Sequence, residues 1–485
     1  MRRSLIALTV GILALATSGI TLAGPDKNAE ELMPNERQIL RNAQKTYNDG
    51  TKAGSAWNMA VVGHESIGDR GFNGDVWVYA GYAYVGHWGF QDWATGNDRF
   101  CPAAPASGVA VIDVRDPASP RRVATLQNPA NTSAEDVVVY RARSGPLAGR
   151  DIAASGIQTC GSRFDVSIRR GLMLWDVTDP VHPVSLAIHD TGCCTRGVHE
   201  FEIGHRADLG RTFAYVSVPF SERAESSSPS GTRDLLGRGD ARIIDITDPA
   251  HPVEVATFGV RKDLGLDPAT IGQGCDPDTF GHGMTPSADG KLLVVSYWDA
   301  GFIALDVTAP ASPQFLSRTI YAPWEDGDAH SASYDDARKL LFSADEDFCK
   351  GGPAEQGWGY MRIWDYADPR APRQIANFKT VNSLGSSDPG AGDYVIHNPL
   401  VVGTDVYISW YSDGIRVVDA SDPRAPREVA FFVPPAGQNP VKPAQRGVLT
   451  NTAQIWGVVV DEATGLVYGS DMNSGLWILR RTDPH

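Results

Sequence analysis

The sequence predicts an all-β fold assembled from repeats of one four-stranded unit. Three observations carry that expectation. One phrase recurs along the chain. The apolar runs between turns have strand length and lack helical periodicity. The two ends of the repeated region hold the two halves of an unfinished hairpin. The phrase is VAVIDVRDPASP at Val109–Pro120, and it returns from Leu172, Arg242, Ile303, Arg362 and Arg416. A last copy, GLWILRR at Gly475–Arg481, lacks the Asp-Pro turn. Each copy is an alternating apolar run, then Asp, then a turn rich in Asp and Pro. That is a strand entering a tight turn, because proline presets φ and Asp caps its own backbone. A second apolar run follows each of the first six copies. The unit therefore contains a hairpin, recurring roughly every 55 to 70 residues.

In chain order, the first unit reads GDVWVYAG, YAYVGHWG, GVAVIDV and RRVATL. The second reads AEDVVVYRA, GRDIAASGI, GLMLWDV and PVSLAIHD, and the third VHEFEIGHR, RTFAYVSVPF, ARIIDI and PVEVATF. The fourth has GHGMTPSADG, KLLVVSYW, GFIALDV and PQFLSRTI; the fifth AHSASYDDA, RKLLFSADE, YMRIWDY and PRQIANF. The sixth has VIHNPLVVG, DVYISWYS, GIRVVDA and REVAFF. The seventh has only IWGVVVDEA, GLVYGSD and GLWILRR, and AVVGHE near the N-terminus supplies its missing fourth strand. The expected architecture is a seven-bladed β-propeller over residues 56–482, with four-stranded blades and Velcro closure between the chain ends.

Arg2 and Arg3, the apolar run Leu5–Ala16 and the small-x-small site Thr21-Leu22-Ala23 read as a signal peptide over residues 1–23. The alternative, an uncleaved anchor, is disfavoured because the run is short for a span. Residues 24–55 form a polar arm. An exported chain is expected, periplasmic, secreted or cell-surface, with no membrane span after cleavage. Asp and Glu (58) outnumber Lys and Arg (43), and the formal charge of -15 argues against nucleic-acid binding. Six cysteines in an exported chain point to disulfides: Cys101, Cys160, Cys193, Cys194, Cys275 and Cys349. Cys193 and Cys194 belong to separate bridges or to one vicinal bridge, and Cys275 with Cys349 is one reasonable pair.

The phrase also carries a resemblance. DARIIDITDPAHP at Asp240–Pro252 and DGIRVVDASDPRAP at Asp413–Pro426 resemble the LVIVD repeat of bacterial secreted and surface-exposed β-propeller proteins. Ala309 departs from the pattern, standing where Asp precedes Pro in the other copies. The resemblance implies a fold and a location and no single activity, so function has to come from a site.

The sharpest site signal lies where each first strand begins. Successive units place His199, His282, His330 and His397 there, and the remaining units Asp75, Glu135 or Asp136, and Trp456. First strands line a propeller axis, so four imidazoles are expected at one channel mouth. Imidazole suits copper, iron or zinc, with Asp75, Glu135 or Asp136 in support or as a base. The alternative is that these histidines bond backbone or channel water. Asp299, Asp345, Asp413 and Asp471 end second strands, as ligands of a cation or polyhydroxy compound or as turn openers. Trp88, Trp93, Trp298, Trp410 and Tyr411 join Trp456 as candidate stacking surfaces. The long insertions and all six cysteines fall on the same face. The expected function is a monomeric binding platform whose cysteine-stapled, loop-rich face takes a protein, glycan or small molecule, with room for one transition metal ion (copper, iron or zinc) at the histidine-lined mouth. The alternative is a metal-dependent oxidoreductase using the four histidines. A His-held metal in a propeller is similar in architecture to the carotenoid-cleaving oxygenases and the methanethiol oxidase group, although no motif specific to either is present. Hydrolase-elbow, phosphate-loop and dinucleotide motifs are absent as well.

Overall fold

The structure is a computed structural model. It describes residues 54–91, 99–101, 107–161, 165–192, 195–222, 238–274, 277–322, 325–348, 358–383, 392–436 and 452–483. The expected signal peptide, most of the arm, Trp93 and four of the cysteines lie outside these residues. The fold is all-β, and its sheets are built from units of consecutive antiparallel strands. The first strands of the units are Asn73–Tyr79, Thr132–Arg141, Phe201–Arg206, Met284–Pro286, Ala329–Asp335, Pro399–Val402 and Ile455–Asp461. Each packs beside the first strand of the next unit, and Ile455–Asp461 packs beside Asn73–Tyr79. The first two units are joined into one larger sheet by a single pairing, His87 with Ala134.

The repeated phrase has a repeated geometry. Asp113, Asp176, Asp245, Asp306, Asp365 and Asp419 each accept a hydrogen bond from the backbone N–H two residues on, at 2.8–3.1 Å. This turn lets the chain leave the third strand and return as the fourth. The third and fourth strands of all six hairpins slip register at the same place, for example between Ile243 and Ile244. The turn survives at Ala309, where the Ser312 N–H reaches the Ala309 carbonyl at 2.8 Å.

Three copies of the phrase bury an arginine against its own hairpin. Arg242 reaches Glu254 at 3.3 Å, Arg416 reaches Glu428 at 3.1 Å and Arg362 reaches Gln374 at 3.2 Å. Burial pushes the Glu254 carboxyl up, but His189, Arg242 and Arg238 outweigh it and hold the pKa at about 2. A depressed carboxyl stabilises the fold above its usual range and loses that contribution as pH falls toward 2. Glu254→Gln is expected to cost about 3 kcal/mol at pH 7, because Arg242 then stays buried without its counter-charge. Denaturant melts measure this, and the deficit should shrink at pH 3. An equal deficit at both pH values would refute the ion-pair account.

Apolar side chains from facing sheets make the core. Phe213, Tyr215 and Ile243 of one unit pack on Leu293, Val295 and Ile303 of the next. Met59–Glu65 pairs antiparallel with Gly475–Arg481, joining the two ends of the described chain in one sheet. Ala56–Trp57 adds to the edge of the preceding sheet by pairing with Phe431 and Phe432, which the sequence pattern did not foretell. A disulfide joins Cys101 to Cys160, in loops of the first two units. The other four cysteines lie outside the described residues. Among the described residues, no helix is long and apolar enough to cross a membrane.

Candidate metal centre

The site begins with a β-bulge, in which two residues of one strand oppose one of its partner. His199 and Glu200 both bond the backbone of Ser217, His282 and Gly283 that of Ser296, and His397 and Asn398 that of Ser409. Register slips mark the same place at His330, at Trp456 and around Glu135–Asp136. A bulge interrupts the alternation of side chains, so two successive residues line cavities at two levels. Glu135, the four histidines and Trp456 form one level. Asp75, Asp136, Glu200, Ser331 and Asn398 line a second cavity of about 140 Å³. Small residues permit the close approach this requires. A Cβ on Gly283 would stand 2.6 Å from the His330 carbonyl oxygen.

The four imidazoles are in contact. Ring centroids are 4.3 Å apart for His199 and His282, 4.0 Å for His282 and His330, and 4.3 Å for His330 and His397. Three of them are anchored through Nδ1. His397 Nδ1 lies 2.6 Å from the Trp456 carbonyl oxygen, and His330 Nδ1 lies 3.2 Å from the His397 carbonyl oxygen. A carbonyl can only accept, so each Nδ1 carries the proton and each Nε2 is left as a lone pair. His199 Nδ1 lies 2.5 Å from Glu135, whose other oxygen takes the Trp456 indole N–H at 3.0 Å.

Two carboxylates that the sequence reading missed complete the cluster. Glu200 stands 3.5 Å from His282 Nδ1 and 3.7 Å from His330 Nε2. Glu346 stands 3.5 Å from His330 Nε2 and 3.9 Å from His397 Nε2, and the Tyr411 hydroxyl donates to it. These gaps are too wide for hydrogen bonds. They match the separation of neighbouring ligands around an ion with bonds of about 2.1 Å. Glu200 Oε1, His282 Nδ1 and His397 Nε2 are buried without a hydrogen-bond partner, which is costly in a site holding nothing. The ligand atoms of Glu200, His282 and His330 lie within 4.8 Å of one another, as do those of His330, Glu346 and His397. His199 Nε2 is 2.8 Å from His282 Nε2, so an ion between those two would need a small opening. A separate carboxylate trio, Asp326, Asp328 and Asp347, also converges within 4.8 Å.

Burial sets the charge of the cluster. It holds His199, His282 and His330 well below the usual imidazole range and His397 at about 3. It pushes Glu135 up to about 7, Glu346 up to about 8 and Glu200 well above the usual carboxylate range. The metal-free cluster near neutrality therefore has uncharged imidazoles and largely protonated carboxyls, and a bound cation displaces those protons. Between pH 6.5 and 8 the folded histidines are uncharged and the unfolded chain's histidines lose their remaining protons, a smaller and opposing effect. The folded carboxyls still hold protons that the unfolded chain has lost, so metal-free stability falls as pH rises. The metal-free protein is expected to melt at lower temperature at pH 8 than at pH 6.5, with added metal reversing the loss. Calorimetry in chelator decides, and a metal-free Tm that rises over this interval would count against the assignment.

A cavity of about 500 Å³ opens on the histidines. Trp88, Trp298, Tyr411 and Trp456 line it, together with Phe280 and Trp358. Trp410 does not. It is buried in the core, donating to the Tyr394 carbonyl at 2.8 Å with its ring edge-on to Phe378. The second-strand carboxylates bind loop donors. Asp299 accepts from the Gln273 and Asp278 N–H groups, and Asp471 from those of Gln454 and Ser474. Asp345 binds Arg362 at 2.6 Å, and Asp413 accepts from Asn382 at 2.6 Å. Buried carboxylates satisfy loop donors here, so they shape the loops rather than the cavity. Asp75 and Asp136, expected beside the histidines, belong to the second level. Asp75 accepts from Asn398 at 3.3 Å and Asp136 from the Phe201 N–H at 3.0 Å.

The family model of the LVIVD repeat matches residues 70–90 and 238–259. The chain carries the LVIVD repeat at these two places. The second match spans Arg242 to Phe258, the hairpin that carries the Asp245 turn and the Arg242–Glu254 pair. The first spans Asp75 and the opening strands of its unit. No curated protein matches the chain. The four histidines, Glu200 and Glu346 stand outside both matched stretches.

Proposed function

We propose that this chain is an exported, seven-bladed LVIVD-repeat β-propeller that holds a transition metal ion at its channel mouth and positions a small molecule against it. One observation carries the metal reading. His282 Nδ1, His330 Nε2 and His397 Nε2 face Glu200 and Glu346 across gaps of 3.5–3.9 Å, and the two groups they form each bring their ligand atoms within 4.8 Å. The unbroken sequence of neighbouring first strands and the pairing of Met59–Glu65 with Gly475–Arg481 support the closed seven-bladed reading. Imidazoles with carboxylates suit iron, copper or zinc. The ion would supply redox chemistry if it is iron or copper, and Lewis acidity if it is zinc. The residues hold and orient it: backbone carbonyls fix the imidazole tautomers, and Glu135 aligns His199.

The second reading, a binding platform on the loop-rich face, is favoured by the Cys101–Cys160 bond, which ties two neighbouring loops together. The aromatic cavity beside the histidines favours the metal-dependent reading. The test is metal content by mass spectrometry on untagged protein. Near-stoichiometric iron, copper or zinc supports the proposal and names the chemistry. Protein that is empty, and stays empty after incubation with each metal, overturns it.

A further inference from the structure

Arg196 lines the histidine cavity three residues before His199. Its side chain makes no hydrogen bond and no ion pair with any described residue. That sets it apart from the other arginines on the protein's inner surfaces. Arg242, Arg362 and Arg416 each grip a carboxylate, and Arg206 donates to the Val307 and Thr308 carbonyls at 3.0 Å. A guanidinium drawn out of water without a partner is costly, and the structure keeps this one at the wall of an open cavity. Glu135 is the carboxylate whose charge reaches it, and Glu135 is already occupied by His199, Gln158 and Trp456.

The remaining wall is aromatic. Phe280 stacks on Trp298 with centroids 4.5 Å apart, and Trp88 and Trp456 stand 5.2 Å apart. A cavity of about 500 Å³ has room for one or two fused rings, within the usual range of small-molecule sites. Glu346 and Asp393 also line it, so a dianion would meet more repulsion than a monoanion.

We infer that the cavity binds an aromatic carboxylate, its carboxyl group paired with Arg196 and its ring against the Trp298 and Trp456 walls. The planar guanidinium fork matches a carboxylate in two parallel hydrogen bonds, and the indole faces accept a flat apolar body. The inference deepens the proposed site by naming its ligand class. It rests on that reading only for the ligand's place beside the metal.

The test compares 2-naphthoate with 2-naphthylmethanol, which has the same ring system without the charge. Titration calorimetry on the full chain follows both, in chelator-treated and in metal-loaded protein. The acid is expected to bind at least tenfold more tightly than the alcohol in both states. Arg196→Met should remove that preference and leave alcohol binding and metal content unchanged, and Arg196→Lys should restore part of it. Equal affinity for acid and alcohol in the wild type, or an unchanged preference in Arg196→Met, overturns the inference. So does failure of both probes to bind. Because the wild-type comparison needs no variant, a misfolded variant does not rescue the idea. A preference seen only in metal-loaded protein would assign carboxylate binding to the ion and refute the role of Arg196. Carboxylate preference in a protein that takes up no metal would uphold Arg196 and defeat the metal reading instead.

Discussion

The His282→Ala, His330→Ala double variant is expected to lose bound metal by about a hundredfold in affinity while keeping its fold, since losing even a supporting residue costs a metal site 10- to 100-fold. These two positions are chosen from the geometry. His330 Nε2 faces both Glu200 and Glu346, so it belongs to both candidate ligand groups. His282 faces Glu200 with one nitrogen and His199 with the other. Removing both leaves His199 and His397 with no imidazole between them. The fold should survive because the bulge is held by backbone. The His282 N–H donates to the Ser296 carbonyl at 2.8 Å, a bond alanine retains. The lost side chains also border a cavity that water can fill. Metal analysis and circular dichroism on the same sample separate the outcomes. A folded variant with undiminished metal would place the ion elsewhere. Glu346→Gln should weaken binding less, by about tenfold, since it removes one charge and leaves every imidazole.

How much of this was legible follows from the kind of information each residue carries. The hairpins were legible because the Asp-Pro phrase repeats, and the same phrase makes the same turn in each copy. The four histidines were legible because the repeat aligns them. Glu200 was hidden by the bulge. In a regular strand the residue after His199 points the other way, so alternation argues against it. Glu346 was missed by one position. Asp345 ends its strand as Asp471 ends its own, yet its carboxylate is spent on Arg362 and Tyr321, and the next residue turns inward. Arg196 lies in a loop, where no period marks it. A bulge and a loop are both local departures from regularity, and the site is built from them.

A chain beginning at Ser66 is expected not to fold, whereas a chain beginning at Gly54 should fold as the whole protein does. The pairing of Met59–Glu65 with Gly475–Arg481 is the reason. Without it the last sheet ends on an open strand, and that strand's unpaired N–H and C=O groups invite aggregation. The segment is also a wedge. Met59 packs among Tyr407, Ile415 and Leu479, and Val62 packs beside Ile478, Val85 and Ile112. It therefore touches three units at once. Burying each such side chain stabilises by about 1.5–3 kcal/mol, and each ladder bond adds about 1 kcal/mol. Losing all of them removes an amount comparable with a typical total stability of about 5–15 kcal/mol. The argument has a sharper form, because pairing needs the strand and does not need its place in the sequence. Moving residues 54–65 to follow Thr482 through a turn of about five residues turns a long-range pairing into a local hairpin. Folding should then be restored. A chain from Ser66 that melts like the full protein would show that the first strands alone hold the array together. A relocated strand that fails to rescue would show that residues 54–65 act through their attachment to Ile67 rather than through their pairing.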